Sequence, residues 1–327
     1  MTVSRLTLAA DDGLIAIPSS GTIAVYRPDA ALDLSALPRD RTIVVHSFRP
    51  IHDLWKGRGW TVAAQDAPEA TMSIVALPRS KAHARAMIAE ACAKTDGVVV
   101  VDGQKTEGID SLYKDVRKRV SVVATLTKAH GRLFAFTASD GFADWADAPT
   151  KVEEFTTKPG VFSAEKLDQG SKALVAALPD KLPKQVADLG AGWGYLSQRI
   201  LAIQGIETLD LVEAEERALD CARLNVTDPR ARFHWEDATT HAPSEPYQMV
   251  VMNPPFHTGR SGDPDIGRGF IMAAARMLTP QGRLLMVANR HLPYEAVLSE
   301  RFKVVDELGG TPGFKVLMAS RPSRVKG

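Results

Sequence analysis

The sequence predicts an α/β protein built from two Rossmann-like domains in tandem, the C-terminal one complete and the N-terminal one degenerate. Three observations carry that expectation. Short apolar runs alternate with helical patterns in both halves, the rhythm of a mainly parallel sheet covered on both faces. In the second half Val186-Ala-Asp-Leu-Gly-Ala-Gly-Trp-Gly194 runs from a strand into a glycine turn, and Tyr247-Gln-Met-Val-Val-Met-Asn-Pro-Pro-Phe256 runs from a strand into two prolines. The first half has neither turn. A chain of 327 residues has room for two cores.

In the first half, residues 42–46, 72–77 and 97–102 read as buried strands, and 81–94 and 108–120 as helices. The half is expected to be a duplicated copy that no longer binds a ligand at its strand ends. Lys114, Arg117 and Lys118 share one helix face by their spacing, as a solvated surface or a contact for a nucleic-acid backbone. The stretch Asp144-Trp-Ala-Asp-Ala-Pro-Thr-Lys151 breaks the apolar periodicity, so the domains are expected to span 1–148 and 149–327.

The second half opens its sheet with residues 186–189, followed by the glycine turn and a helix over about 195–204. Gly190, Gly192 and Gly194 are spaced G-x-G-x-G, not the dinucleotide pattern G-x-G-x-x-G. Asp188 precedes them, and an acid there disfavours a pyrophosphate and favours a cationic ligand such as S-adenosylmethionine. Residues 208–213 form a second strand ending in Glu213, an acid placed to take ribose hydroxyls. Glu215 and Glu216 compete for that role but suit the first turn of the next helix. Residues 233–237 form a third strand, whose terminal Asp237 is placed for an adenine amino group; for either acid a solvated strand end or helix cap is the plain alternative. A helix over 266–278, a strand over 282–288, and strands over 302–308 and 314–319 joined by Gly309-Gly-Thr-Pro-Gly313 complete the sheet.

Chemistry concentrates at residues 253–256. Two successive prolines end the strand, since neither donates a ladder hydrogen bond. They leave an amide side chain, stiff carbonyls and an aromatic ring at the sheet edge. Asn253, Pro254, Pro255 and Phe256 are therefore the candidate catalytic set for methylating a planar nitrogen. The Asn253 side-chain oxygen and the Pro254 carbonyl can each accept one hydrogen of an exocyclic amine, turning its lone pair out of conjugation. Phe256 would stack on the base, a contact worth about 1–3 kcal/mol, and the base must be unpaired or flipped to enter. His257 and Arg260 are candidate substrate contacts, with Arg268 a further phosphate ligand; the alternatives are a structural role for His257 and a merely mobile loop around Arg260.

Composition excludes some classes. With 40 basic and 39 acidic residues no overall field announces nucleic acid, so RNA contact must come from local patches. Cys92 and Cys221 sit in helical apolar patterns and read as buried thiols, not a disulfide. No Cys/His cluster has metal-ligand spacing, so no metal is expected. No leader pattern and no bilayer-length apolar run is present, so a cytoplasmic protein without membrane contact is expected; a monomer is expected as well.

At these motifs the chain resembles the class I S-adenosylmethionine-dependent methyltransferases, and among them the RsmC-like ribosomal RNA guanine-N2 methyltransferases. Asn253-Pro-Pro-Phe-His257 followed by Thr-Gly, Lys158-Pro-Gly-Val-Phe-Ser163, Leu167-Asp-x-Gly-Ser171, Val287-Ala-Asn-x-x-Leu-Pro-Tyr294 and Gly313-Phe-Lys-Val316 carry the likeness over the second half. Lys105-Thr-Glu-Gly-Ile109 and Lys128-Ala-His-Gly131 carry a thinner one over the first. The resemblance implies two methyltransferase-like domains, the second a complete seven-stranded sheet and alone in binding the donor. It implies a cofactor-binding set of Phe162, Ser163, Asp188, Gly190, Ala191, Gly192, Glu213, Asp237, Ala238 and Asn253, with 160–163 over the donor's methionine end. Residues 253–256 would hold the guanine amine. Ala191-Gly-Trp193 departs from the family's commoner Cys-Gly-Ala. The implied partner is ribosomal RNA or the small ribosomal subunit, and the implied reaction N2-methylation of a guanine in 16S RNA. The alternatives are the sister family acting on large-subunit RNA, a protein-glutamine methyltransferase, and a non-catalytic RNA-binding assembly factor.

Overall fold

The computed structural model describes residues 4–255 and 264–323. The chain divides into two compact units, residues 1–149 with 158–160 and residues 150–157 with 161–327.

The first unit contains, in order, α1 (Arg5–Asp11), β1 (Ile23–Tyr26), β2 (Thr42–Val45), α2 (Arg49–Gly57), β3 (Thr61–Ala63), β4 (Ala70–Ala76), α3 (Lys81–Lys94), β5 (Thr95–Gln104), α4 (Ile109–Arg117), β6 (Val122–Lys128) and β7 (Gly131–Thr137). Its sheet runs β3-β2-β1-β4-β5-β7-β6, parallel through β5 and antiparallel in the last two pairings. Lys114, Arg117 and Lys118 are exposed, with the Arg117 guanidinium 5.4 Å from the Tyr113 ring centre.

The second unit begins with the hairpin β8 (Thr150–Val152) and β9 (Phe155–Thr157). It continues with α5 (Gln169–Ala176), β10 (Gln185–Leu189), α6 (Tyr195–Leu201), β11 (Thr208–Glu213), α7 (Glu216–Asn225), β12 (Ala231–Trp235) and β13 (Tyr247–Met252). Then come α8 (Pro264–Met277), β14 (Leu278–Asn289), α9 (Tyr294–Arg301), β15 (Phe302–Gly310) and β16 (Phe314–Pro322). The sheet order β12-β11-β10-β13-β14-β16-β15 repeats that of the first unit, strand for strand. Central strands are buried on both faces, as covered parallel sheets require: Val186, Ala187, Asp188 and Leu189 are all buried, as are Met249 to Met252. Helices α8 and α9 pack Phe270, Ile271, Ala274 and Leu298 on one face of the sheet, while Leu196, Ile200, Leu219 and Ala222 belong to the other core.

Several expectations shift. The helix expected to reach residue 204 stops at Leu201, because the Gln204 carbonyl accepts from the Leu182 backbone N–H at 3.0 Å and Gly205 turns at φ +102°. The strand expected over 233–237 lies over Ala231–Trp235, locked by the register Leu209↔Ala231 to Glu213↔Trp235, so Asp237 falls in the following turn. Helix α4 is shorter than the expected 108–120. Strands β1, β3, β6 and β7 were not legible from the sequence. Both cysteines are buried free thiols.

Candidate functional site

In a doubly wound sheet the crevice opens where strand order reverses, at the carboxyl ends of the strands. In the second unit that point lies between β10 and β13. They are parallel neighbours with Leu189 opposite Met252, so Gly190 and Asn253 leave the sheet side by side at the same edge. The glycine turn and the Asn-Pro-Pro turn therefore face one cleft.

Gly190, Gly192 and Gly194 adopt φ of +76°, +57° and +90°, a left-handed region that glycine enters without steric cost. The N–H groups of Gly190 and Ala191 both donate to the Val212 carbonyl, at 2.8 and 3.2 Å. A Cβ on Gly194 would lie 2.8 Å from Val226 Cγ2, so this glycine lets the turn sit against α7; one on Gly192 would meet nothing within 4 Å. Gly192 is thus the point where a ligand can approach backbone.

Glu213 ends β11 and buckles the turn. Its Oε2 accepts from the Gly192 N–H and its Oε1 from the Glu215 N–H, both at 2.8 Å. Burial pushes its carboxyl above the usual range, opposed by those N–H groups. Of its neighbours, Glu215 is the N-cap residue of α7 and Glu216 its first helical residue.

Asp188 lies behind the turn with no exposed surface. Its Oδ2 accepts from the Ser197 hydroxyl at 2.6 Å, while Oδ1 has no hydrogen-bond partner among the described residues. Burial pushes its carboxyl up to about 7, and the charge of nearby Glu213 adds to the rise. A buried acid with an orphaned oxygen favours a cation or a donor group brought close to it.

Asn253 is held by its amide nitrogen. Nδ2 donates to Asp168 Oδ2 at 2.8 Å and to Ser171 Oγ at 2.9 Å. Pro254 is buried and Pro255 exposed. Phe256, His257 and Arg260 lie outside the described residues. Arg268 is exposed and pairs with Asp265 at 3.3 Å on its own helix.

The cleft is open to solvent and spans about 400 Å³ of space free of atoms. Of the expected residues, Phe162, Ser163, Gly190, Ala191, Gly192 and Asn253 line it, and Asp168, Ser171, Trp193, Tyr195 and Leu196 join them unforeseen. Asp168 and Ser171 carry a local signal, an N-cap acid three residues before a residue whose N–H it takes. The departure at Trp193 has a defined use. Its indole N–H donates to the Phe162 carbonyl at 2.8 Å, and its ring packs 5.1 Å from Phe155 and 5.9 Å from Tyr195. This ties residues 161–163 over the cleft, with Ser163 at φ +53° and the Phe162 ring 57 % exposed.

Asp188, Glu213, Asp237 and Ala238 are not among the cleft's wall residues. Asp237 Oδ1 instead accepts from the backbone N–H and hydroxyl of Thr239, at 2.8 and 2.7 Å. The loop is fixed further on by His241, whose ring bonds Glu236 Oε2 and the Tyr247 hydroxyl. Ala238 is buried.

The equivalent edge of the first unit is built otherwise. There β1 pairs with β4 so that Tyr26 lies opposite Val75. The residue after Tyr26 is Arg27, at φ +53°, whose N–H donates to the Val45 carbonyl at 2.8 Å as that of Gly190 does to Val212. After Val75 come Ala76, Leu77 and Pro78 in place of Asn253, Pro254 and Pro255. The crevice there is larger, about 810 Å³, but it holds the buried Arg5–Asp102 ion pair in place of an open glycine turn. Among the described residues no group of three or more His, Cys, Asp or Glu is placed to hold a metal ion, and no helix is long and apolar enough to cross a membrane.

The sequence profile of the family described as the methyltransferase small domain matches residues 153–318. The chain is 30 % identical over 267 residues to the ribosomal RNA small subunit methyltransferase C of Alteromonas mediterranea, covering 76 % of this chain and 72 % of that protein. It is 33 % identical over 238 residues to the ribosomal RNA large subunit methyltransferase G of Shewanella amazonensis, covering 68 % and 62 %. Among solved structures it is similar to the T. thermophilus 16S rRNA N2 G1207 methyltransferase in complex with AdoMet and guanosine. That likeness has a TM-score of 0.78 at 23 % identity, over 93 % of this chain and 89 % of the other, and it is a likeness of fold.

Proposed function

We propose, since the chain belongs to the RsmC-like class I methyltransferases and carries their small-domain signature, that it methylates N2 of a guanine in small-subunit (16S) ribosomal RNA with S-adenosylmethionine as donor. The observation that supports this reading best is Asn253, an amide held by its nitrogen, whose oxygen accepts from none of the described residues, beside an open glycine turn at the same sheet edge. The bound donor supplies an electrophilic methyl group on a sulfonium.

The residues present fit such a donor. Gly192 leaves space at the turn, Glu213 stands at the strand end for hydroxyls, and Asp188 offers an unsatisfied buried oxygen of complementary charge. Phe162 and Ser163 would cover the methionine end, Ala191 would pack against the donor, and Asp237 with Ala238 would border the adenine. The Asn253 oxygen and Pro254 carbonyl would each accept one amine hydrogen, aiming the lone pair; Pro255 stiffens the turn. Phe256, His257 and Arg260 would meet the base and its phosphate. Transfer then depends on positioning more than on acid–base help. Residues 149–327 are assigned catalysis, and residues 1–148, lacking a glycine turn and an Asn253 counterpart, structure and RNA contact. We also propose a cytoplasmic monomer that uses no metal.

The 33 % identity to a large-subunit enzyme keeps a second substrate in view. Incubating the protein and labelled donor with naked 16S RNA, assembled small subunits and large-subunit RNA separates them. The expected product is 2-methylguanosine in the small-subunit samples. Label confined to large-subunit RNA, or appearing as 6-methyladenosine, would refute the assignment.

Donor affinity should depend on pH through Asp188. Its folded value of about 7 lies above the ordinary 3.8. In the ligand-free fold its contribution to stability is therefore full below 3.8 and is lost as pH rises toward 7, by up to roughly 1.4 kcal/mol per pH unit. The charge that destabilises the empty site is the charge that attracts a cation. Calorimetry between pH 5.5 and 7.5 should show several-fold tighter donor binding at the upper end. Asp188→Asn should flatten the dependence; an unchanged slope in that variant would remove Asp188 from the role.

A further inference from the structure

We propose that Asp168 is a positioning residue that decides which atom of Asn253 meets the substrate, and thereby makes the site select an amine. The inference rests on the reading of Asn253 as the amine's acceptor and extends it to a residue outside that reading.

An amide is nearly symmetric in shape, and its oxygen and nitrogen differ chiefly in what they bond. Here the environment breaks the symmetry. Asp168 Oδ2 lies 2.8 Å from one end of the Asn253 amide, and a carboxylate oxygen only accepts, so that end is the nitrogen. Ser171 Oγ, at 2.9 Å, accepts the second Nδ2 hydrogen. Both donors of the amide are then used within the protein, and among the described residues nothing donates to its oxygen, which is the atom left for a substrate.

The clamp is itself held in place. Asp168 is the N-cap of α5, and the same Oδ2 accepts from the Ser171 backbone N–H at 2.7 Å. A Cβ on Gly170 would approach that oxygen to 2.9 Å and the Phe314 ring to 3.1 Å, so glycine keeps the carboxylate's position clear. Ser171 is buried. The short run Asp168-Gln-Gly-Ser171 thus supplies both acceptors from one helix start.

The consequence is a chemical filter. An Asn253 oxygen facing the cleft attracts the N–H of an exocyclic amine and repels a carbonyl oxygen. Were the amide free to turn over, its NH₂ would meet the substrate amine, donor against donor, and an oxo edge would be welcomed instead. Removing one well-aimed hydrogen-bonding group from a reacting centre typically costs about 10²–10³ in rate; a clamp acting through Asn253 should cost at least tenfold.

Serine and asparagine at 168 separate capping from clamping. Serine is a good N-cap but too short to reach Asn253 as well. Asparagine offers a carbonyl where Oδ2 stands. Asp168→Ser should lower the single-turnover rate on RNA at least tenfold with donor affinity within twofold of wild type. Asp168→Asn should recover much of the loss. A wild-type rate in Asp168→Ser, or an Asp168→Asn no faster than Asp168→Ser, would overturn the proposal. A second readout is independent of the substrate. In ¹H–¹⁵N spectra the Asn253 side-chain amide, identified by its loss in Asn253→Ala, should be protected from solvent exchange in the wild type and lose protection in Asp168→Ser. Unchanged protection sinks the clamp even if the RNA proves to be the wrong substrate, whereas a wild-type enzyme that leaves guanine unmodified sinks only the functional reading.

Discussion

Replacing Asn253 by alanine should abolish methyl transfer while leaving donor affinity within a few-fold. The side chain ends β13 beside the glycine turn, yet its own bonds run to Asp168 and Ser171 and not to the turn. Truncation therefore removes the proposed acceptor of the amine without disturbing the Gly192–Glu213 buckle. An exocyclic amine conjugated into its ring is a poor nucleophile until its hydrogens are held, so the loss falls on the chemical step, by about 10²–10³ or more. Single-turnover rates with saturating donor, set beside calorimetric donor binding, measure the two separately. Asn253→Asp should fare no better, because it sets a second carboxylate against Asp168. A near-native rate in Asn253→Ala would refute the amine-holding role.

The second large effect belongs to the first unit. Arg5 and Asp102, 97 residues apart, form a buried pair with Nε to Oδ1 at 2.5 Å, their side chains only 6 % and 7 % exposed. Arg5 Nη1 also donates to the Lys128 and Ala129 carbonyls, at 3.2 and 3.3 Å. A Cβ on Gly131 would lie 2.3 Å from that guanidinium, so the site is shaped around the charge. Burial pushes the Asp102 carboxyl up although Arg5 pulls it down, which marks a pair whose desolvation is only partly offset. Asp102→Ala strands the arginine and should cost about 3–5 kcal/mol, whereas replacing both residues by apolar ones of similar volume should restore most of it. Hydrogen exchange in β5 and β7 reports the first unit by itself, which a whole-chain unfolding curve need not do. Unchanged protection in Asp102→Ala would show that the pair contributes little.

Legibility followed the range of the interactions. Strands β10, β11 and β13 were readable because apolar runs and neighbouring glycines or prolines are local properties. Edge strand β6 was not, since none of its residues is fully buried. Edge strands are stabilised by pairing, and pairing partners are not written beside them. The acids show the same division. Glu213 at a strand end was legible, while Asp237 was read as a strand end and proved to be the cap of its own turn.

From the residues alone came the two-domain α/β plan, the glycine turn that lets backbone approach a ligand, and the proline pair that stops a strand at an amide. Each follows from the φ and hydrogen-bonding limits of single residues. Only the tertiary structure decided that Leu189 and Met252 lie side by side, that Asp188 is buried behind the turn, that Asp168 takes the Asn253 nitrogen, and that Arg27 and Arg5 occupy the corresponding edge of the first unit. Those outcomes depend on which strands pair and in what register. Register is set by burying whole faces of a sheet at once, a sum over distant residues that no short stretch of sequence contains.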